Sequence, residues 1–212
     1  KEVLPADWKG HEKLRLRIMN GRNKYGNGID EVDTYAEALS RFLGNKINLR
    51  PNGRDGFYLA SMHTPPRFYL HFGKKTGATP DGRMAGDELS KNVSPTMGMD
   101  VNGVTALIRS ATRMDSAMHP ADFPLDVMLH PATVEGDDGL AAMRTLLNTY
   151  MERHGIAIQF NIFDAQTLID AQAHPERYQG LQVRVCGWNV HFNDLTRPEQ
   201  DMFIRRAQNI IE

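Results

Sequence analysis

The run Val183-Arg184-Val185-Cys186-Gly187-Trp188-Asn189-Val190-His191-Phe192 sets one glycine inside a β-forming stretch, with an arginine three residues before it and an aromatic residue directly after. Glycine weakens a strand, so its presence asks for a bulge, a bend or a close backbone approach. Radical chemistry supplies one more reason. An unpaired electron at Cα is delocalised between the neighbouring amide nitrogen and carbonyl when the backbone is planar, and a residue without Cβ flattens there at little steric cost. Gly187 is the residue of the run without a Cβ. Cys186, the single cysteine, is its nearest neighbour. In extended backbone its side chain leaves from the opposite face to position 187, so it reads as a small buried hydrophobe rather than as a thiyl donor.

The elements that must position this run alternate between helix and strand. Asp30 to Leu43 carries Val32, Tyr35, Ala36, Leu39, Phe42 and Leu43 in a helical stripe, with acidic residues in its first turn and Gly44 marking its end. Phe57 to Phe72 is aromatic-rich and interrupted by Pro65-Pro66, which predicts a buried strand or turn rather than a helix. Thr79-Pro80-Asp81-Gly82-Arg83 is a turn, with Arg83 as a structural clamp. A helix starts over Thr105 to Ser110, and a longer one covers Gly139 to His154. Ile156 to Phe163 alternates as a strand does, and Asp164 caps a helix running to Ala173 and stopped by Pro175. Arg197 to Ile211 closes the chain as an amphipathic helix with Pro198 in its first turn. The fold class is α/β.

The chain has 212 residues, and Lys+Arg of 25 against Asp+Glu of 26 leaves a net charge of −1, which opposes a general attraction to nucleic acid or to anionic membrane. One cysteine allows no intrachain disulfide, and a reducing cytoplasm is the expected compartment. No run approaches the roughly eighteen apolar residues of a membrane span, and Lys1 to Trp8 lacks a signal-peptide core. The eight histidines show no metal-binding spacing, so no metal site is expected, and the eleven methionines read as core filler.

The glycine run resembles the C-terminal signature of the glycyl radical enzymes. The resemblance extends through Lys24-Tyr25-Gly26-Asn27, Gly77-Ala78-Thr79-Pro80-Asp81-Gly82-Arg83, Ser94-Pro95-Thr96-Met97-Gly98-Met99-Asp100, Gly103-Val104-Thr105-Ala106, Ile158-Gln159-Phe160-Asn161, Leu168-Ile169-Asp170-Ala171-Gln172 and Pro175-Glu176-Arg177-Tyr178. These blocks follow the order found in pyruvate formate-lyase-like enzymes. Trp188 stands where the family most often has Tyr, and Gln182 replaces a small or branched residue.

The resemblance implies the C-terminal portion of a ten-stranded β/α barrel, with the glycyl radical loop and a closing C-terminal helix. Residues 1–130 would be late barrel elements and 131–212 the radical domain. Gly187 would receive its radical from a separate activating enzyme that uses S-adenosylmethionine and an iron–sulfur cluster, with no cofactor bound by this chain. The thiyl cysteine of the family lies upstream of every block seen here, so the remainder of the enzyme, as an N-terminal part or a partner subunit, must supply it. The complete enzyme would be a homo-oligomer, and the isolated chain would behave poorly.

Arg184 would anchor the radical loop. Gln159 and Asn161, on one face of their strand, would hydrogen-bond its backbone, or else form an ordinary polar pair satisfying an edge. Arg67 and His71 lie where the family lines its cavity. A buried arginine there suits a carboxylate, phosphate or sulfonate; the other reading is a surface arginine and a satisfied core histidine. The implied activity is radical lyase or dehydratase cleavage of a small substrate, with a sulfonate as the leading anion, as in isethionate sulfite-lyases. Acyl transfer on a 2-oxo acid and a noncatalytic radical spare part are the alternatives.

Overall fold

The structure, a computed structural model, describes residues 2–21, 23–65, 67–185 and 188–208. Cys186 and Gly187 lie outside the described residues.

The helix α1 (Glu12–Met19) leads to α2 (Asp30–Ile47). Gly44 does not end α2. A Cβ at that position would sit 2.6 Å from the Met118 carbonyl oxygen, so the glycine permits close contact while the helix continues. The apolar stripe of α2 is split: Val32, Ala36 and Leu43 are half-buried beside the buried Asp33, Ser40 and Gly44, whereas Tyr35, Leu39 and Phe42 are exposed.

The region from Phe57 to Phe72 departs from its sequence expectation. Phe57, Tyr58 and Leu59 are exposed, and α3 (Phe68–Lys75) is helical despite the two prolines before it. Those prolines precede the helix rather than interrupt it, and Arg67 takes a left-handed backbone (φ +67°) at the entry.

α4 (Gly103–Ala111) precedes β1 (Pro124–Leu129), α5 (Gly136–Glu152) and β2 (Ala157–Ile162). β1 and β2 pair in parallel from Pro124↔Ala157 to Leu129↔Ile162, with α5 as the crossover. Five of the six β1 residues are buried, as befits a parallel strand covered on both faces. That continuous burial, a leading proline and Asp126 in the middle hide β1 from a search for alternation.

α6 (Ala165–Ala173) is capped by Asp164, whose side chain accepts the Thr167 N–H at 2.7 Å. β3 (Gln182–Val185) and β4 (Trp188–His191) pair antiparallel from Gln182↔His191 to Val185↔Trp188, and α7 (Arg197–Gln208) closes the described chain.

Two apolar cores result. One joins Val93, Leu107, Ile108, Phe123, Leu125, Val127 and Tyr150. The other joins Tyr69, Leu168, Val183, Val185, Phe192, Met202 and Phe203. Each draws on residues from both sides of position 130.

Candidate active site

β3 and β4 bracket positions 186 and 187: their last pair is Val185↔Trp188, so only those two residues separate the strands in the chain. Val183 and Val185 point into the second core with Phe192, which fixes one face of the pair. On the other, Arg184 is half-buried and its Nη1 donates to Asn189 Oδ1 at 3.0 Å, across the register pair Arg184↔Asn189.

Asn161 is 1% exposed and sits on β2 beside β3. Its Oδ1 accepts the Arg184 backbone N–H at 3.2 Å, and its Nδ2 is buried without a hydrogen-bond partner among the described residues. Gln159, two residues earlier on the strand, is half-buried. Alternation puts both amides on one face, and the structure brings Asn161 against the backbone that leads to Gly187. Trp188 opens β4 with its side chain exposed.

Arg67 and His71 lie elsewhere, one helical turn apart at the start of α3. Arg67 Nε donates to Glu199 Oε1 at 2.6 Å and Nη2 reaches Oε2 at 3.4 Å. The Glu199 side chain is 7% exposed against 50% for Arg67, and its Oε2 also accepts the Thr196 N–H and hydroxyl at 2.8 Å. A buried carboxylate at the entry to α7 thus orients a half-exposed guanidinium whose Nη1 has no partner among the described residues. His71 is exposed, with its ring edge-on to Phe68 at 6.5 Å.

A polar cluster escaped the sequence reading. Asp126, in the middle of β1, is buried with Lys91, whose Nζ donates to Oδ1 at 2.9 Å. Asn92 Nδ2 donates to the other carboxylate oxygen, and the Ser94 hydroxyl bridges the backbone N–H and carbonyl of Asp126 at 3.0 Å each. The signal available in the sequence was a lone acid within an apolar run, Leu125-Asp126-Val127, which requires a buried cation.

A cavity of about 600 Å³ opens beside this cluster, along β1 from Asp126 to His130 and between α4, α5 and α7. Lys91, Asp100, Asp126, His130 and Arg206 supply its acidic and basic side chains, and neither Arg67 nor His71 lines it. Arg83 is buried, and its guanidinium donates to the carbonyls of Thr76, Gly77 and Met84, clamping the turn around Gly82.

Among the described residues no cluster of three or more His, Cys, Asp or Glu side chains could hold a metal ion, and no helix is long and apolar enough to cross a membrane.

Residues 89–193 match the family model described as Glycine radical, and residues 1–70 match Pyruvate formate lyase-like. The trans-4-hydroxy-L-proline dehydratase of Clostridioides difficile is 35% identical over 98% of this chain and 26% of its own length. The isethionate sulfite-lyase of Oleidesulfovibrio alaskensis is 31% identical over 98% of this chain and 25% of its own. Among solved structures, the enzyme of 1,2-propanediol dehydration from Roseburia inulinivorans superposes with a TM-score of 0.88 at 38% identity, over 97% of this chain and 26% of that chain. The C. difficile hydroxyproline dehydratase superposes at 0.90 with 35% identity and the same coverage. The chain spans about a quarter of the length of these relatives.

Proposed function

The chain belongs to the glycyl radical enzymes and has the fold of the C-terminal portion of their pyruvate formate-lyase-like barrel, and from that premise we propose that Gly187 stores the radical of a lyase that this chain forms together with further polypeptide. The observation that carries the reading is the β3–β4 pair flanking Gly187, tied to the βαβ core through Asn161.

A separate activating enzyme, using S-adenosylmethionine and an iron–sulfur cluster, removes a hydrogen atom from the Gly187 Cα. Planar backbone at glycine delocalises the resulting spin. The radical then passes to a cysteine outside this chain, which takes hydrogen from substrate and starts expulsion of a leaving group such as water or sulfite. Asn161 holds the approach to Gly187 in one geometry, with Gln159 on the same face of β2 and Arg184 pinned to Asn189.

Arg67 takes the anionic group of the substrate. Its planar fork fits carboxylate or sulfonate, and Glu199 holds it in place through Nε and Nη2. His71 stands one turn further along α3, exposed like Arg67. The half-exposure of Arg67 fits a site whose remaining walls come from polypeptide beyond this chain.

Air provides the test. The complete enzyme, activated without oxygen and then exposed to air, is expected to yield a chain cleaved at Gly187, read as intact and fragment masses. Gly187→Ala stays whole. Cleavage elsewhere, or none after verified activation, overturns the assignment.

A further inference from the structure

α2 attaches to the rest of the chain through its polar face. Asp33 Oδ2 accepts from the Ser110 hydroxyl at 2.8 Å, Ser40 Oγ meets His119 Nε2 at 2.7 Å, and Gly44 lies against Met118. Its large apolar side chains point away: Tyr35, Leu39 and Phe42, at positions i, i+4 and i+7, are 72%, 59% and 56% exposed. The apolar surface runs on beyond the helix end. Leu49 is 70% exposed, its backbone N–H donates to the Tyr58 carbonyl at 3.0 Å, and Tyr58 is itself exposed. Ala36 of the same stripe packs against the first core, and these three larger side chains are left uncovered among the described residues. Clustered exposed apolar residues mark interaction surfaces, and this spacing is that of a helix laid into an apolar groove.

We propose that the outer face of α2, with Leu49 and Tyr58, docks against an apolar surface in the part of the enzyme that this chain does not contain. The inference rests on the reading that the chain works within a larger glycyl radical enzyme. Two observations select that occupant. The face lies within residues 1–70, the stretch matching the Pyruvate formate lyase-like model, and outside residues 89–193, which match Glycine radical. Alignments that cover 97% of this chain cover only 26% of the related structures, so their fold supplies far more chain than this one holds.

The charges beside the face argue against a lipid surface. Glu37 binds both Arg41 and Arg113 at 3.1 Å, Asp30 binds Arg109 at 2.9 Å, and the Lys46 ammonium lies 5.7 Å from the centre of the Phe42 ring. These cations are already engaged, whereas anionic lipid attracts a free basic rim.

Hydroxyl-radical footprinting of the complete enzyme tests this, with Tyr35, Phe42 and Tyr58 as reporters, at concentrations on both sides of any oligomer dissociation. Spin is measured on the same activated preparation. The expected result is labelling an order of magnitude slower than in the urea-unfolded enzyme, unchanged by dilution. Labelling at the unfolded rate overturns the proposal, as does protection that vanishes on dilution, which would identify a second copy as the occupant. A radical on Gly187 in an enzyme with unprotected reporters sinks the docking face alone. Protection in an enzyme that forms no radical supports the docking face and sinks the catalytic reading.

Discussion

Asn161 Oδ1 accepts the Arg184 backbone N–H at 3.2 Å, so one buried amide joins the βαβ core to the strand that leads into Gly187. The bond is short-range in space but spans 23 residues of sequence, and the intervening α6 rests on the same core as β3. Radical storage needs a backbone held in one shape, and this contact fixes the chain three residues before Gly187.

Asn161→Ala removes that acceptor and leaves a backbone donor unsatisfied, a loss of about 1–3 kcal/mol. Denaturant unfolding should show a destabilisation of that size, together with a lower spin yield per chain after activation. Arg184→Ala, which deletes the exposed contact to Asn189, should change stability by less than about 0.5 kcal/mol.

Arg67→Lys keeps the charge but loses the fork. Charge-assisted hydrogen bonds contribute about 1.5–3 kcal/mol, so KM for an anionic substrate should rise by about tenfold or more while kcat changes less. Equal KM for both enzymes would show that Arg67 does not hold the substrate.

Asp126 and Lys91 form a buried pair, and losing one partner strands the other charge. Asp126→Ala should destabilise the protein by about 3–5 kcal/mol, and the double change Lys91→Met with Asp126→Leu should recover much of that loss. A double-mutant cycle by denaturant unfolding measures the coupling. Additive effects would contradict it.

Burial holds the His119 imidazole below its ordinary 6.5, opposed by the Ser40 contact and by Asp115. Its Nδ1 is buried without a partner among the described residues and its ring stacks on Phe123 at 5.5 Å, so a charged ring is poorly accommodated. A lowered folded pKa means that the unfolded chain binds protons first on acidification. The stability due to neutral His119 is complete above 6.5 and is lost as pH falls through the folded value. Unfolding measured from about pH 7.5 to about pH 5.5 should fall less steeply for His119→Gln than for the unaltered protein.

The sequence made the ends of this architecture readable and hid its middle. Alternation in Ile156 to Phe163 and the Asp164 cap both correspond to elements in place, because local signals match their tertiary setting. β1 did not show itself, since burial on both faces removes alternation. The apolar stripe of α2 gave the helix but not which of its side chains are covered within this chain, because a stripe reports what a helix buries without saying against which polypeptide. Gly187 was legible through the resemblance of its run to the glycyl radical signature. The pairs Arg67–Glu199 and Lys91–Asp126 were not, as each joins residues that sequence spacing leaves unrelated: 132 positions apart in the first and 35 in the second.

The most direct test of radical storage is electron paramagnetic resonance on the complete enzyme after anaerobic activation. A glycyl radical at Gly187 predicts a doublet from the single remaining Cα hydrogen, collapsing when the protein is grown with glycine deuterated at Cα and absent in Gly187→Ala. A signal that survives Gly187→Ala, or a fully activated enzyme with no doublet, would contradict the account.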